Sequence, residues 1–178
     1  MPSGQTHDRI TLWSLPVIAG CTYLLTQRSG DRTLIVAGAF LFSGLMFGPD
    51  LDIYSIQYKR WGYLRWLWIP YQKALKHRSF FSHGLIIGTT LRLIYLAVWL
   101  SILGIFTVGI AAIWGDVSWN WQLWVELTKK YTYEWILLFI GLEMGAISHI
   151  LSDRLSSFSK RKQRNKVSNG KIKKSTTK

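Results

Sequence analysis

Long apolar blocks separated by short polar punctuation dominate the chain. Ile94 to Trp114 is a run of 21 residues without a charge, and Trp135 to Leu151 is apolar except for Glu143 and His149. Both can cross a hydrocarbon core of about 30 Å as helices, which takes roughly 17–25 residues. Ile10 to Leu25 and Leu34 to Phe47 are shorter and are joined by the polar turn Gln27-Arg28-Ser29-Gly30-Asp31-Arg32. They read either as a short transmembrane hairpin or as helices packed against the other two. The pattern predicts an all-α fold, an integral membrane helical bundle of about four transmembrane helices, with two spans plus a buried hairpin as the alternative. Glycine pairs at GxxxG spacing, Gly44/Gly48, Gly84/Gly88 and Gly141/Gly145, mark places for close helix approach.

Helix count then decides which polar segments meet. With the N-terminus on one side, the second run returns there at Gly48-Pro49. The connection from Asp50 to His83 stays on that side, and the fourth run comes back to it at His149 and Asp153. That face carries Arg9, six Lys/Arg between Lys59 and Arg78 and a basic C-terminal segment, against Arg28, Arg32, Lys129 and Lys130 on the other. The positive-inside rule places it, with both termini, in the cytoplasm. Trp61, Trp66 and Trp68 are expected at one membrane interface, and Trp114, Trp119, Trp121, Trp124 and Trp135 at the other.

Charge adds a tail to this picture. The 178 residues carry a net charge of +13, and ten Lys/Arg fall between Arg154 and Lys178 with no acid among them. Residues 1–156 are expected to form the helical membrane domain, and 157–178 a disordered basic cytoplasmic tail that touches anionic lipid headgroups. Only Phe158 accompanies those cations, which argues against nucleic-acid binding. Met1-Pro2-Ser3-Gly4-Gln5 lacks the basic start of a cleavable signal, so the first helix is expected to serve as an uncleaved insertion signal. The single cysteine, Cys21, lies within the first run and excludes an internal disulfide or a Cys-based metal site. The expected location is an inner, plasma or thylakoid membrane; the oligomeric state is not legible.

All four histidines sit in short polar clusters at the ends of the apolar runs: Thr6-His7-Asp8, His77-Arg78-Ser79-Phe80-Phe81-Ser82-His83 and Ser148-His149-Ile150-Leu151-Ser152-Asp153. A further cluster, Gly48-Pro49-Asp50-Leu51-Asp52, is purely acidic. His149 and Asp153 are four apart and share one helix face. Asp50 and Asp52 suit a bidentate pair or a carboxylate bridge between two metals. The candidates His7, Asp50, Asp52, His77, His83, His149 and Asp153 exceed the roughly three protein ligands of one catalytic zinc. They suit two ions, and mixed His/carboxylate ligation favours Zn, Mn or Fe. Each has a plainer role when taken singly: an interfacial histidine at His7, a solvated helix end at Asp50 and Asp52, a hydrogen-bonded pair at His149 and Asp153. Their convergence, and the cost of ionisable groups at membrane depth, favour a shared site. Arg78 is a candidate catalytic residue that would hold an anionic oxygen such as phosphate, or else one more cytoplasmic positive charge. Glu143, six residues before His149, is expected on another face, paired with Arg92.

The order of His7, Pro49-Asp50-Leu51-Asp52, His77-Arg78, Ser82-His83 and Ser148-His149 with Asp153 resembles predicted metal-binding integral membrane proteins of cyanobacteria and archaea. The resemblance covers about residues 3–156, and that family has no assigned substrate. It is distantly similar to membrane-bound metal-dependent hydrolases, where His-Arg-Gly-x-Thr precedes the second histidine and Ser follows it. Here the stretch is one residue longer and Gly84 follows His83. The resemblance implies metal-ligand roles for the same seven residues.

Two functions follow as expectations. One is a metal-dependent hydrolase with two ions at the cytoplasmic membrane face, acting on a phosphoester or lipid-like substrate. The other is a non-enzymatic metal-binding membrane protein that senses, stores or structurally uses the ion.

Overall fold

The computed structural model describes residues 4–77, 79–115 and 120–175, with side chains as far as Phe158 apart from Ser156. Among the described residues the regular structure is helical throughout. Helices α1 (Gly4–Leu25) and α2 (Gly30–Leu45) form a hairpin. A 3-10 turn at Pro49–Asp52 follows, and then α3 (Ile56–Lys59), a second 3-10 segment (Gly62–Trp68), α4 (Ile69–Ala74) and α5 (Phe80–His83). The chain closes with α6 (Ile87–Trp114), α7 (Trp121–Lys130) and α8 (Thr132–Ser175).

Helix α2 lies between α1 and α8, and small residues set how closely. A Cβ at Gly141 would come within 2.5 Å of the Val36 carbonyl oxygen, and one at Gly145 within 2.6 Å of Ser43 Cβ. These two glycines let α8 lie directly on α2, as their spacing predicts. The Gly84/Gly88 pair works differently. A Cβ at Gly88 would meet the Ser82 carbonyl oxygen at 2.6 Å, so this glycine admits a local chain crossing and no helix pair.

Three segments are long and apolar enough to cross a membrane: Gly30–Asp52, Ile87–Trp114 and Thr132–Leu155. Helix α1, which contains the Ile10 to Leu25 run and Pro16, is not among them. Of α6, only Gly88, Thr89 and Arg92 near its start are buried. The connection between the last two apolar runs contains α7, started by Asn120, whose side chain accepts from Leu123 N at 3.1 Å. The backbone of α8 runs on in helical form to Ser175, through the basic segment expected to be disordered.

The short elements between α2 and α6 pack over the end of α2 and build an aromatic core. Trp68 is fully buried, with the rings of Phe47, Trp61, Tyr71 and Tyr95 around it at centroid distances of 5.7, 5.1, 5.5 and 5.5 Å. Trp68 thus faces other rings, which hydropathy does not distinguish from a ring facing headgroups.

The same layer terminates α2. Gln57 Nε2 donates to Gly44 O at 2.8 Å, Arg60 Nη1 to Leu45 O at 2.8 Å, and Trp61 Nε1 to Met46 O at 2.9 Å. Three carbonyls that a helix end leaves orphaned are thus satisfied by side chains. Arg60 also grips Asp8 of α1 with both terminal nitrogens, at 2.9 and 2.5 Å. Beyond the turn, Gln72 Nε2 donates to Leu51 O and Ile53 O, each at 3.0 Å. The Pro49–Asp52 turn is held from both ends.

One strained position stands out. Ile86, immediately before α6, has φ 65° and ψ −54°. A β-branched residue rarely adopts positive φ, and such a conformation costs about 1–3 kcal/mol unless its surroundings impose it.

Close packing of α8 on α2 predicts a contrast between two glycines. Gly141→Leu should destabilise the protein by about 1–3 kcal/mol, as overpacking does. Gly104→Leu on α6, where nothing lies within 4 Å of an added Cβ, should leave thermal melting in detergent nearly unchanged. Equal shifts for the two variants would show that the α2–α8 contact is not tight.

Candidate metal centre

Four chain segments deliver ionisable side chains to the end where α2 stops. The first turn of α1 brings His7, the 3-10 turn brings Asp50 and Asp52, the segment through α5 brings His77 and His83, and α8 brings His149 and Asp153. They form two groups, each with its donor atoms within 4.8 Å of one another: His7, His149 and Asp153, all buried, and Asp50, His77 and His83, half-buried. Asp153 lies one turn beyond His149, as the spacing predicts. Arg78 lies outside the described residues.

Asp50 stands between the groups. Its Oδ2 is 3.2 Å from His149 Nε2, and its Oδ1 is 3.7 Å from His83 Nε2. Within the first group His7 Nε2 is 3.3 Å from Asp153 Oδ1, and the His7 and His149 rings stack at 3.9 Å with 17° between their planes. Two ligands bound about 2.0–2.1 Å from one ion at a tetrahedral angle lie roughly 3.4 Å apart, which is the scale of these separations.

Asp52 has a different neighbourhood. Its Oδ1 is 2.9 Å from His77 Nδ1, its Oδ2 accepts the Ser82 hydroxyl, and it is buried. An ionised carboxylate only accepts, so His77 donates Nδ1–H and its Nε2 keeps a lone pair. The Ser82 hydroxyl, whose hydrogen points to Asp52, accepts from His83 Nδ1 at 2.7 Å, which leaves the His83 Nε2 lone pair facing Asp50. Ser152 repeats the device on the other side. Its hydroxyl donates to the His149 carbonyl at 3.0 Å and its oxygen accepts from His7 Nδ1 at 2.5 Å. Such outer contacts fix the ring and tautomer of metal-binding histidines.

The result is a set of buried polar atoms without well-aligned hydrogen bonds: Asp50 Oδ1, His77 Nε2, His83 Nε2 and both nitrogens of His149. Buried polar groups are nearly always satisfied, so this concentration needs a partner such as a cation. Burial, reinforced by the neighbouring His149, holds the His7 imidazole below its ordinary pKa. That favours the neutral ring, the form that binds metals. The donor set therefore fits one or two divalent ions with N/O ligation.

Sequence reasoning named every residue of the two groups and missed Ser82 and Ser152. Each immediately precedes a candidate ligand, His83 and Asp153, and that adjacency is the only trace they leave. Asp8, beside His7, is turned away to Arg60. Glu143 is buried on α8, and its Oε1 accepts from Ile86 N at 2.8 Å.

A cleft of about 240 Å³ opens against the first group, lined among others by His7, Asp50, Tyr54, Lys59 and Asp153. Beside it, a second, apolar groove of about 450 Å³ runs between α1 and α8, with Ile10, Ile18, Phe40, Ile147 and Leu151 along it and Ser152 in its wall.

Residues 2–163 match the model of a family described as uncharacterised metal-binding protein (DUF2227). No curated protein and no solved structure matches the chain.

Ser152→Ala should weaken metal affinity about 10–100-fold, the usual effect of losing an outer hydrogen bond to a ligand histidine. Competition against a chelator would measure it, with Ser148→Ala, one turn earlier on α8, as the control that should bind like wild type. Unchanged affinity in Ser152→Ala would mean that the hydroxyl does not orient His7.

Proposed function

The chain belongs to that uncharacterised metal-binding family, and from this premise we propose a membrane-embedded, dinuclear metal-dependent hydrolase acting on a phosphoester or lipid-like substrate. The observation that carries the proposal is Asp50, whose two oxygens face one histidine of each group. In this reading His7, His149 and Asp153 hold one ion and His77 and His83 the other, with Asp50 serving both. Asp52 and Ser82 position the rings of the second group, and Ser152 that of His7. Zn, Mn or Fe fits the donor set. Divalent ions so held supply Lewis-acid polarisation of a phosphoryl or acyl oxygen and activate water near neutral pH.

The chain's own groups account for access and selection. Closed coordination serves a structural ion, whereas a catalytic ion keeps an open position, and the cleft beside His7, Asp50 and Asp153 provides the approach. Lys59 lies at this cleft, its Nζ 4.8 Å above the Tyr54 ring, and offers a positive charge to an anionic substrate. Arg78, adjacent in sequence to His77, is proposed as a second cation for the developing negative charge. The apolar groove that reaches Ser152 supports a substrate with a hydrocarbon chain.

Three apolar helices and the charge asymmetry support membrane insertion with the site on the cytoplasmic face. Whether α1 completes a four-helix span belongs to the same proposal. So does contact of the basic segment 157–178 with anionic headgroups. The burial of His7, His149 and Asp153 favours a second reading, in which that group holds a structural ion and the protein is not an enzyme.

Elemental analysis of the purified protein should find two transition-metal ions per chain, with a marked loss in the Asp50→Asn/His149→Ala double variant. The loaded protein should then hydrolyse phosphoester or lipid analogues, and a chelator should abolish the activity. Absence of stoichiometric metal from wild type would defeat the proposal. Two ions without turnover of any phosphoester or lipid would leave the structural reading in possession.

A further inference from the structure

The segment 79–86 before α6 carries His83 of the second metal group, and two buried side chains, Arg92 and Glu143, reach it. Arg92 is 1% exposed, inside the first turns of α6. Its Nη1 donates to the Ser82 carbonyl at 3.2 Å and its Nη2 to Thr89 Oγ1 at 3.0 Å. Glu143, 9% exposed on α8, accepts from the Ile86 amide at 2.8 Å. Ser82 and Ile86 bracket His83, so the two charges hold the chain on either side of that histidine.

The segment needs holding. Ile86 sits at φ 65°, a conformation its branched side chain resists. Without a clamp the chain would relax toward an ordinary conformation and carry His83 with it. Gly88 leaves room for the grip: a Cβ there would lie 2.6 Å from the Ser82 oxygen and 3.5 Å from Arg92 Nη1. The guanidinium is also within electrostatic reach of Glu143 and of Asp52.

We infer that Arg92 and Glu143 act together as positioning residues for the second metal group, clamping Ser82 and Ile86 so that His83, and through Ser82 the Asp52 carboxylate, hold their places. This rests on the two-ion reading above. It extends that reading by linking metal occupancy to a polar pair with no ligand atom among the two groups. The charge on Glu143 is not what grips Ile86; its acceptor oxygen is. A glutamine keeps that oxygen, so Glu143→Gln should retain the clamp, whereas Glu143→Leu removes it.

The test combines two readouts on the full-length protein in detergent. Hydrogen–deuterium exchange of residues 79–88, followed by mass spectrometry, reads the clamp directly. Titration with Zn²⁺ reads its consequence. In Glu143→Leu, exchange of this segment should rise at least tenfold, and the weaker of the two zinc affinities should fall at least tenfold while the other stays at the wild-type value. Glu143→Gln should restore both readings. Wild-type exchange in Glu143→Leu would overturn the inference, and so would equal loss of both ions in a variant that keeps its helicity. Should Glu143→Leu not fold, Glu143→Asp, shortened by one methylene, must show the same rise in exchange, and its absence would equally overturn the inference. A wild-type protein that binds other than two zinc ions would sink the two-ion reading, while the exchange data would still decide the clamp.

Discussion

A helix that ends inside a folded protein leaves four carbonyl oxygens without partners, and the way α2 meets that constraint organises everything around it. Gln57, Arg60 and Trp61 come back from the following segment to supply three donors. This pins the segment from Ile56 to Trp61 against the helix end and forces the intervening Pro49–Asp52 turn into a tight space. Arg60 reaches on to Asp8 and ties the start of α1 to the same point. Without those bonds, Asp50 would end a helix in solvent. With them it is carried to the meeting point of His83 and His149.

The polar interior is affordable only because its members are arranged in series. Asp52 accepts hydrogen bonds from His77 and Ser82, the Ser82 oxygen in turn accepts from His83, and the Ser152 oxygen does the same for His7. Each bond satisfies one ring nitrogen and turns the other inward. The arrangement therefore exports its unsatisfied atoms to one place. Scattered, the same orphans would only destabilise, at roughly 1–3 kcal/mol each. Gathered between two groups that share Asp50, they become a receptor for positive charge, in keeping with membership of a metal-binding family.

Much of this was legible in the chain. Period and length gave the four long helices α1, α2, α6 and α8. The four-residue spacing placed His149 and Asp153 together, and the helix count brought His7, Asp50 and the His77–His83 segment to the same end. What stayed hidden depended on contacts between distant residues. Nothing local separates Asp50 from Asp52, yet one faces two histidines across the site and the other anchors His77 and Ser82. Hydropathy treats Trp68 like Trp66, although the first is fully buried and the second 51% exposed. The Gly84/Gly88 spacing looks like a helix contact and is a chain crossing, because GxxxG records only that something comes close.

The remaining asymmetry between the two groups has a physical basis. His7, His149 and Asp153 sit on α1 and α8, long helices braced by α2, so their geometry is set by the bundle. His77 and His83 sit on short segments outside the long helices, held to α6 and α8 by the Arg92–Ser82 and Glu143–Ile86 hydrogen bonds and lying near a residue at positive φ. Rigidity at the first group comes with the fold, and at the second it has to be imposed by individual contacts. The bundle thus holds half of the site by default, while the geometry of the other half depends on a few side chains and is the property most exposed to single substitutions. Asp50 couples the halves: carried on the turn just beyond α2, it faces His149 of the first group and His83 of the second.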